Sequence, residues 1–218
     1  KLDGYIVPKN DEFFSEYAFP NRLKTISNFS GSAGFSIITR SLNYLFVDGR
    51  YSIQSKIESG KNFEIVEIPY TFPKDILNHY KFKRIGYDPK LFTSSILERY
   101  FGHQYKLIPI NKNLVDIVYL EKKKNKNLFF KIEDKIIGES VNSKIKRLDK
   151  ILKKKKSDSI FVSAPENVAW LLNIRGMDNP NSPIPNARII FDRNRYIHFF
   201  SDLKKIKNIQ KKIGYKKI

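Results

Sequence analysis

Apolar and polar positions change along this chain in short segments that predict strands and helices in turn. The clearest stretch follows Phe29, where small residues at Gly31–Gly34 permit a sharp turn of the backbone. Two runs of β-branched and aromatic residues come next, at Phe35–Thr39 and Tyr44–Val47. The short polar connection between them predicts an antiparallel hairpin that ends on Asp48.

The rest of the first half continues this alternation. Strands are predicted at 5–7, 63–68, 84–88 and 105–110, and helices at 20–29, 50–59, 73–80 and 94–101. Pro20 suits the first position of a helix that carries Leu23, Ile26 and Phe29 on one face. Strands that alternate with helices in this way indicate an α/β domain.

The second half begins after a change of composition. Residues 111–127 end in a lysine cluster and are predicted as a connector, with the domain boundary at Asp116, so that the domains are 1–115 and 116–218. A helix is predicted at 138–152, a buried strand at 159–162, a helix at 165–172, a loop at 177–186 and a hairpin at 188–200.

The two halves share an order of features. A helix, Asn28, Gly31, a hairpin and Asp48 in the first half match a helix, Asn173, Gly176, a hairpin and Asp202 in the second, which has an additional loop. We therefore expect the two domains to be structurally related. Chance recurrence of short hairpins after helices is the alternative.

Composition excludes several classes of function. The chain has no cysteine, which removes disulfides, cysteine zinc sites and thiol chemistry, and which suits a reducing cytoplasm. No apolar run approaches the roughly 20 residues that cross a bilayer, and the first residues lack the apolar core of a signal peptide. We therefore expect a soluble, cytoplasmic protein without membrane partners.

The net charge of +19 favours contact with polyanions. The lysines, however, are spread along the chain and cluster mainly at 122–126, 153–156 and 204–217. They also accompany many Asn, Ile, Phe and Tyr residues, the products of A+T-rich codons. We expect weak, salt-dependent binding to any polyanion and no specific nucleic-acid partner.

Motifs for catalysis are missing from the sequence. Gly31–Gly34 is followed by Phe-Ser, so neither a P-loop nor a GxGxxG fingerprint is present. His79, His103 and His198 lie far apart in the sequence and have no metal-ligand spacing. Asp48, Asp88, Asp178 and Asp202 fall at predicted turns, where aspartate is expected for turn geometry alone.

Several separated motifs nevertheless form a recognisable set. Ser15-Glu-Tyr17, Asn28-Phe-Ser-Gly-Ser-Ala-Gly34, Val47-Asp-Gly-Arg-Tyr51 and Gln54 resemble the amino-terminal domain of Xaa-Pro aminopeptidases of the creatinase/prolidase family. Asn113-Leu-Val-Asp116 and Glu166–Gly176, followed by the Asn-Pro loop, resemble the second domain of the three-domain cytosolic type. The resemblance implies two related creatinase amino-terminal-like domains, each a mixed β-sheet flanked by helices, with the second complete or truncated.

The resemblance also carries functional expectations. In this family a pita-bread domain holds two divalent metals, usually manganese, and removes an amino-terminal residue that precedes proline. That domain has no counterpart here, so we expect the non-catalytic part of a homodimeric metallopeptidase, without metal ligands or catalytic residues and inactive alone. The expected partner of the whole enzyme is a peptide with proline at its second position. The alternative is a stand-alone binding or dimerisation module without peptidase activity.

Arg50 is the one site residue that the resemblance implies. It occupies the arginine of the Asp-Gly-Arg-Tyr motif, which in the three-domain enzymes lies towards the substrate cleft, and a guanidinium suits peptide carbonyls or a carboxylate. Pairing with an acidic neighbour such as Asp48 is the structural alternative. Trp170 and Leu171 are expected to pack in the second core rather than to touch substrate, and Arg175 either makes a structural contact or faces the missing domain.

Overall fold

The computed structural model describes residues 1–15, 17–78, 84–103, 105–119, 127–133, 135–206 and 209–218. It divides into two compact units, Lys1–Lys122 and Lys123–Ile218. The first unit contains β1 (Gly4–Pro8), α1 (Arg22–Ser27), β2 (Phe35–Thr39), β3 (Tyr44–Asp48), α2 (Ser52–Ser59), β4 (Glu64–Ile68), α3 (Pro73–Leu77), β5 (Arg84–Tyr87), α4 (Ser94–Phe101), β6 (Lys106–Pro109) and α5 (Leu114–Val118). Each strand predicted for this half is present, with its ends shifted by at most one residue.

The strands of the first unit form a six-stranded mixed sheet in the order β4-β3-β2-β1-β5-β6. β2 is antiparallel to β1 and to β3, as the predicted hairpin requires, and the other neighbouring strands are parallel. All strands except β2 therefore run in one direction. Their carboxyl ends, together with the start of β2, lie at a single edge of the sheet.

Both faces of this sheet are covered by helices. On one face Phe35, Ile37 and Phe46 pack with Leu77 of α3 and Phe101 of α4. On the other face the cluster contains Leu23 of α1, Phe29, Leu45, Val47 and Phe63. Alternate residues of β2 and β3 thus supply two separate cores, which is the expected consequence of side chains pointing to opposite faces of a strand.

The prediction for the start of α1 was wrong. The helix begins at Arg22 rather than at Pro20, because the side chain of Asn21 accepts a hydrogen bond from the backbone of Lys24 and caps it. It also ends before Phe29, since Asn28 adopts a left-handed conformation with φ 63°. Phe29 is fully buried, but it belongs to the turn after α1 and not to the helix itself.

The helix predicted from Arg50, whose apolar pattern runs through Ile53 and Ile57, differs in its first turn and in its buried face. Gly49–Tyr51 form a 3-10 turn, and α2 follows it. Ser55 and Ser59 face inward, whereas Ile53 and Ile57 are 75% and 80% exposed. Small residues are needed inside because Ser59 approaches α1 closely enough to donate a hydrogen bond of 2.7 Å to the carbonyl of Ser27.

The segment predicted as a connector begins with a helix. Val115 of α5 packs against Tyr5 and Val7 of β1. The Asp116 carboxylate forms a bidentate salt bridge with the guanidinium of Arg22 in α1, with N···O distances of 2.7 and 2.8 Å. This short stretch is therefore part of the first unit. The predicted boundary falls inside α5, and the exact domain limits of 1–115 and 116–218 stay a prediction.

The second unit contains β7 (Phe130–Lys131), α6 (Val141–Lys155), β8 (Ser159–Val162), α7 (Pro165–Leu172), β9 (Ile174–Arg175), β10 (Arg188–Asp192), β11 (Ile197–Phe200) and α8 (Ile209–Ile213). β8 and β11 flank β10 in an antiparallel three-stranded sheet, and β7 pairs with β9. One core is formed by the inner face of the larger sheet with α6, α7 and α8. The predicted apolar face of α6 is confirmed, since Val141, Ile145 and Leu152 are buried.

The predicted relation between the two halves is confirmed by the topology. The strand order β11-β10-β8 repeats β3-β2-β1, and both pairs of neighbours are antiparallel. α7 precedes β10 as α1 precedes β2. Asn173 ends α7 in the left-handed conformation, with φ 52°, as Asn28 ends α1.

The outer face of the three-stranded sheet is open to solvent. Ile190 pairs with Phe161 on one side and with His198 on the other, and Arg188 pairs with Phe200. Phe161 and Phe200 are 58% and 53% exposed. The prediction of a buried strand at 159–162 was therefore wrong, because helices of the described chain cover only the inner face.

Within the described part of the chain, no helix is both long enough and apolar enough to cross a membrane.

Candidate functional site

Three segments meet at the carboxyl edge of the first sheet. The loop after β1 contains Ser15, the turn before β2 contains residues 28–34, and the turn after β3 contains Arg50. These segments carry the motifs noted in the sequence, although Glu16 lies outside the described residues. In sheets with parallel strands, ligands bind preferentially outside the carboxyl ends of the strands. The motifs therefore lie at the edge where a ligand is most expected.

Arg50 is held by Asp48 at the end of β3. One carboxylate oxygen of Asp48 accepts hydrogen bonds from the backbone N–H and from Nε of Arg50, both at 3.0 Å, and the other accepts from Nη2 at 2.7 Å. The hydrogen bond from the guanidinium lowers the pKa of the Asp48 carboxyl. The pair considered as the structural alternative is thus present, yet the Arg50 side chain remains 69% exposed. Asp48 fixes the direction of an arginine that solvent can still reach.

Tyr51 supports Arg50 from the other side. The guanidinium carbon of Arg50 lies 5.3 Å from the centre of the Tyr51 ring, a cation-π distance. The ring packs edge-on against Phe29, with centroids 5.5 Å apart and an interplanar angle of 83°. Its hydroxyl lies 2.8 Å from Oγ of Ser32, and this hydrogen bond lowers the pKa of Tyr51.

The turn before β2 is tied to α2 by a carboxylate that sequence reasoning missed. Glu58 accepts hydrogen bonds of 2.7 Å from both the backbone N–H and the hydroxyl of Ser30. Gln54, which belongs to the recognised motif, donates to Ser30 Oγ at 2.8 Å and to Glu58 at 3.1 Å. The helical spacing of Gln54 and Glu58 was the available signal, because residues four apart share one face of a helix.

Two glycines permit the geometry of this turn. A side chain at Gly31 would place its Cβ 2.2 Å from the Phe29 ring, and Gly34 has φ 152° with its own Cβ position 2.8 Å from the carbonyl oxygen of Phe46. The prediction that small residues here allow close approaches and unusual backbone angles is confirmed.

A cavity of about 260 Å³ opens beside this turn. Its lining includes Pro8 and Lys9 after β1, Ser32–Phe35, Ile68 at the end of β4, and Tyr100 of α4. The cavity and Arg50 therefore lie on the same edge of the same unit. Ser32 belongs to both, because it lines the cavity and contacts Tyr51.

The residues considered in the second unit have structural contacts. Leu171 is buried as expected, but Trp170 is 53% exposed, so its predicted place in the core was wrong. Trp170 lies on the surface beside two cations, with Lys144 Nζ 4.3 Å and the Arg147 guanidinium 5.7 Å from its ring centre. Arg175 Nη1 donates to the carbonyls of Ile174 and Ala169, at 2.9 and 3.4 Å.

Lys144 is a buried cation of the second unit. It is 5% exposed, and its ammonium donates hydrogen bonds of 2.6 Å to the carbonyl of Trp170 and to Oδ1 of Asn173. Burial lowers the pKa of this lysine, while the charge of Glu139 opposes the change. The contacts close the carboxyl end of α7, where unpaired carbonyls favour a positive charge.

The described residues do not fit a catalytic metal pair. No three His, Cys, Asp or Glu side chains converge among them. His103 and His198 lie on the surface beside Glu98 and Asp192, each at 3.2 Å, and His79 falls outside the described residues. Asp88 and Asp202 accept backbone N–H groups in turns, as predicted.

Comparison with known proteins gives one consistent result. Residues 1–117 and 121–218 each match a family model described as the creatinase/prolidase N-terminal domain. A probable Xaa-Pro aminopeptidase P of Laccaria bicolor is 34% identical over 91% of this chain and 33% of its own length. Xaa-Pro aminopeptidase 1 of Dictyostelium discoideum is 31% identical over 93% of this chain and 36% of its own length.

A solved structure agrees with these sequence relatives. The X-prolyl aminopeptidase of Caenorhabditis elegans, described as a cytosolic enzyme with a di-nuclear active site, superposes with a TM-score of 0.83 and 28% identity. The match covers 94% of this chain and 35% of that protein. The chain spans about a third of the length of the relatives that it matches.

Proposed function

Because the chain belongs to the creatinase/prolidase N-terminal domain family, we propose that it is the amino-terminal, non-catalytic region of an Xaa-Pro aminopeptidase. The complete enzyme releases an amino-terminal residue that precedes proline. Its amino-terminal region forms walls of the substrate cleft and contributes to a homodimer in the cytoplasm. The relatives named above support the activity, and the dimer and the location follow from the family resemblance.

One observation supports a role for this region in substrate binding. Arg50 projects from the carboxyl edge of the sheet, is oriented by Asp48 and Tyr51, and remains 69% exposed. A guanidinium in a fixed orientation suits a peptide carbonyl or carboxylate, because its planar donors match the acceptor oxygens. Arg50 binds and orients the peptide in this proposal, and Asp48 reduces the conformational freedom that binding would otherwise remove.

The metals belong to a different part of the proposed enzyme. The described residues do not bring together a ligand set for two divalent ions, so no step of hydrolysis is assigned to them. When bound in the catalytic part, two divalent metals, which we expect to be manganese, would activate a water and polarise the peptide carbonyl. The 218-residue chain alone is expected to bind no catalytic metal and to hydrolyse no Xaa-Pro peptide.

The test is Arg50→Ala in a version of the protein that has Xaa-Pro aminopeptidase activity. Loss of a charge-assisted contact of about 1.5 to 3 kcal/mol should lower kcat/KM by roughly ten- to hundredfold if the contact persists in the transition state. The melting temperature and metal content should stay unchanged.

Arg40→Ala is the matched control for charge. Arg40 is exposed in the turn between β2 and β3, at the opposite edge of the same sheet. It should leave kcat/KM unchanged. A lowered melting temperature with unchanged kinetics for Arg50→Ala would instead make Arg50 a structural partner of Asp48.

A further inference from the structure

We propose that the cavity beside Ser32 is a subsite for one apolar side chain, preferentially aromatic, of the peptide that Arg50 binds. This inference rests on the proposed function of Arg50. It assigns the loop after β1 and the turn before β2 to substrate selection.

The size and walls of the cavity match a single ring. Engineered apolar cavities of about 150 Å³ bind benzene, and drug-sized ligands occupy pockets of about 300 to 1,000 Å³. A cavity of about 260 Å³ lies between these cases and suits a side chain better than a cofactor. Phe35 and Tyr100 stack on each other in its wall, with centroids 4.7 Å apart.

The loop after β1 holds a third ring at the cavity. Phe14 lines it, is 45% exposed and has φ 60°, a backbone conformation that is rare for a bulky residue. Asp11, itself 4% exposed, maintains this loop. Its carboxylate accepts the N–H groups of Phe13 and Ser15 at 2.9 and 3.1 Å, and its carbonyl accepts that of Phe14 at 3.0 Å.

The cations near the cavity, and its connection to Arg50 through Ser32 and Tyr51, indicate the class of ligand. Ser32 lines the cavity and hydrogen-bonds to Tyr51, whose ring lies under Arg50, so two side chains separate the cavity from the guanidinium. Lys9, which is 7% exposed, adds a second cation to the lining. A ligand that carries an apolar group and, a few bonds away, a carboxylate or carbonyl oxygen complements this arrangement, and a peptide supplies both.

The experiment measures binding to the 218-residue chain by NMR titration. The probes are N-acetyl-phenylalanine and N-acetyl-alanine, which share a carboxylate and differ by one ring. The phenylalanine probe should bind at least about tenfold more tightly, because ring burial removes apolar surface from water. Its largest shifts should fall on the amides of Ala33, Gly34 and Phe92. Equal affinities for the two probes would overturn the proposal.

Filling the cavity should remove the preference. Ala33→Leu does so from the turn, and Ile96→Phe does so from α4, which keeps the test valid if the turn variant fails to fold. Ala164→Leu in the second unit is the control and should keep the preference. A preference that survives in folded filling variants would place the ring elsewhere and overturn the proposal.

Arg50→Ala separates the subsite from the role of Arg50. If both proposals hold, this variant weakens both probes by a similar factor and keeps the ratio between them. Unchanged affinity in Arg50→Ala would count against Arg50 as the peptide ligand. The phenylalanine preference and its loss in the filling variants would then still establish the cavity as an aromatic subsite.

Discussion

Gly31 links the packing of the first unit to its candidate site. The ring of Phe29 lies over this residue, so that a Cβ there would come within 2.2 Å of the ring. The same ring supports Tyr51, which in turn contacts Ser32 and Arg50. A change at Gly31 would therefore reach Arg50 through two side chains, Phe29 and Tyr51.

Gly31→Ala is expected to destabilise the first unit by about 1 to 3 kcal/mol, since the new Cβ would overlap the fully buried ring of Phe29. Urea unfolding of the variant and the parent measures the difference. Gly138→Ala is the control, because nothing lies within 4 Å of a Cβ at that position. Equal stability of Gly31→Ala and the parent would mean that the turn can relax, contrary to its close packing.

Some of these residue-level contacts could be predicted from sequence and others could not. The structural roles of Gly31 and Asp48 could be predicted because turn geometry and capping depend on neighbours in sequence. The hydrogen bond from the Ser30 backbone N–H to the Glu58 carboxylate joins residues 28 apart, and only the folded chain brings them together. Trp170 was misplaced because an apolar residue on a helix was assumed to face inward, whereas it lies at the surface beside two cations.

At the scale of elements, alternation and turn residues located the strands well. The predicted helices were less accurate, both in where they begin and end and in which face is buried. α2 shows the physical reason: its inward face is set by how closely it approaches α1, which requires serines and leaves Ile53 and Ile57 outside. Hydrophobic spacing alone predicts the opposite orientation. The cavity was also beyond prediction, since its walls come from several elements distant in sequence.

The packing of α5 on β1 is expected to make stability depend on pH through Tyr5. The Tyr5 hydroxyl accepts a hydrogen bond from the backbone of Leu114 at 3.4 Å. Burial raises the pKa of Tyr5 to about 12, although this hydrogen bond opposes the change. The folded state thus holds the phenolic proton more tightly than the unfolded state, where the pKa is about 10. Stability is therefore lost as the pH rises from about 10 to 12.

Tyr5→Phe should remove this part of the alkaline loss, on the order of 2 kcal/mol, because phenylalanine has no proton to release. Urea unfolding at pH 9 and pH 11.5 gives the difference for each protein. Tyr70→Phe, at a position 83% exposed, should behave as the parent does. If Tyr5→Phe and the parent lost stability equally between these pH values, Tyr5 would not be the group that titrates.

At the scale of the whole chain, the internal repeat was visible in sequence because its markers are local. Asn28 and Asn173 end helices in the left-handed conformation, which asparagine tolerates better than most residues. The exposure of Phe161 was not visible, because an apolar strand looks the same whether one face or both faces are covered. The net charge of +19 described the surface but did not identify a partner.

Because the outer face of the three-stranded sheet is exposed, we expect self-association of this chain to increase with salt. At low ionic strength its net charge of +19 should keep molecules apart. Salt screens that repulsion beyond about 10 Å at 0.1 M, and the exposed rings of Phe161 and Phe200 can then meet those of other molecules. Light scattering should show particle size rising with salt in the parent and in Tyr70→Ser, but much less in the double variant Phe161→Ser, Phe200→Ser. A salt response shared by all three proteins would assign the attraction to another surface.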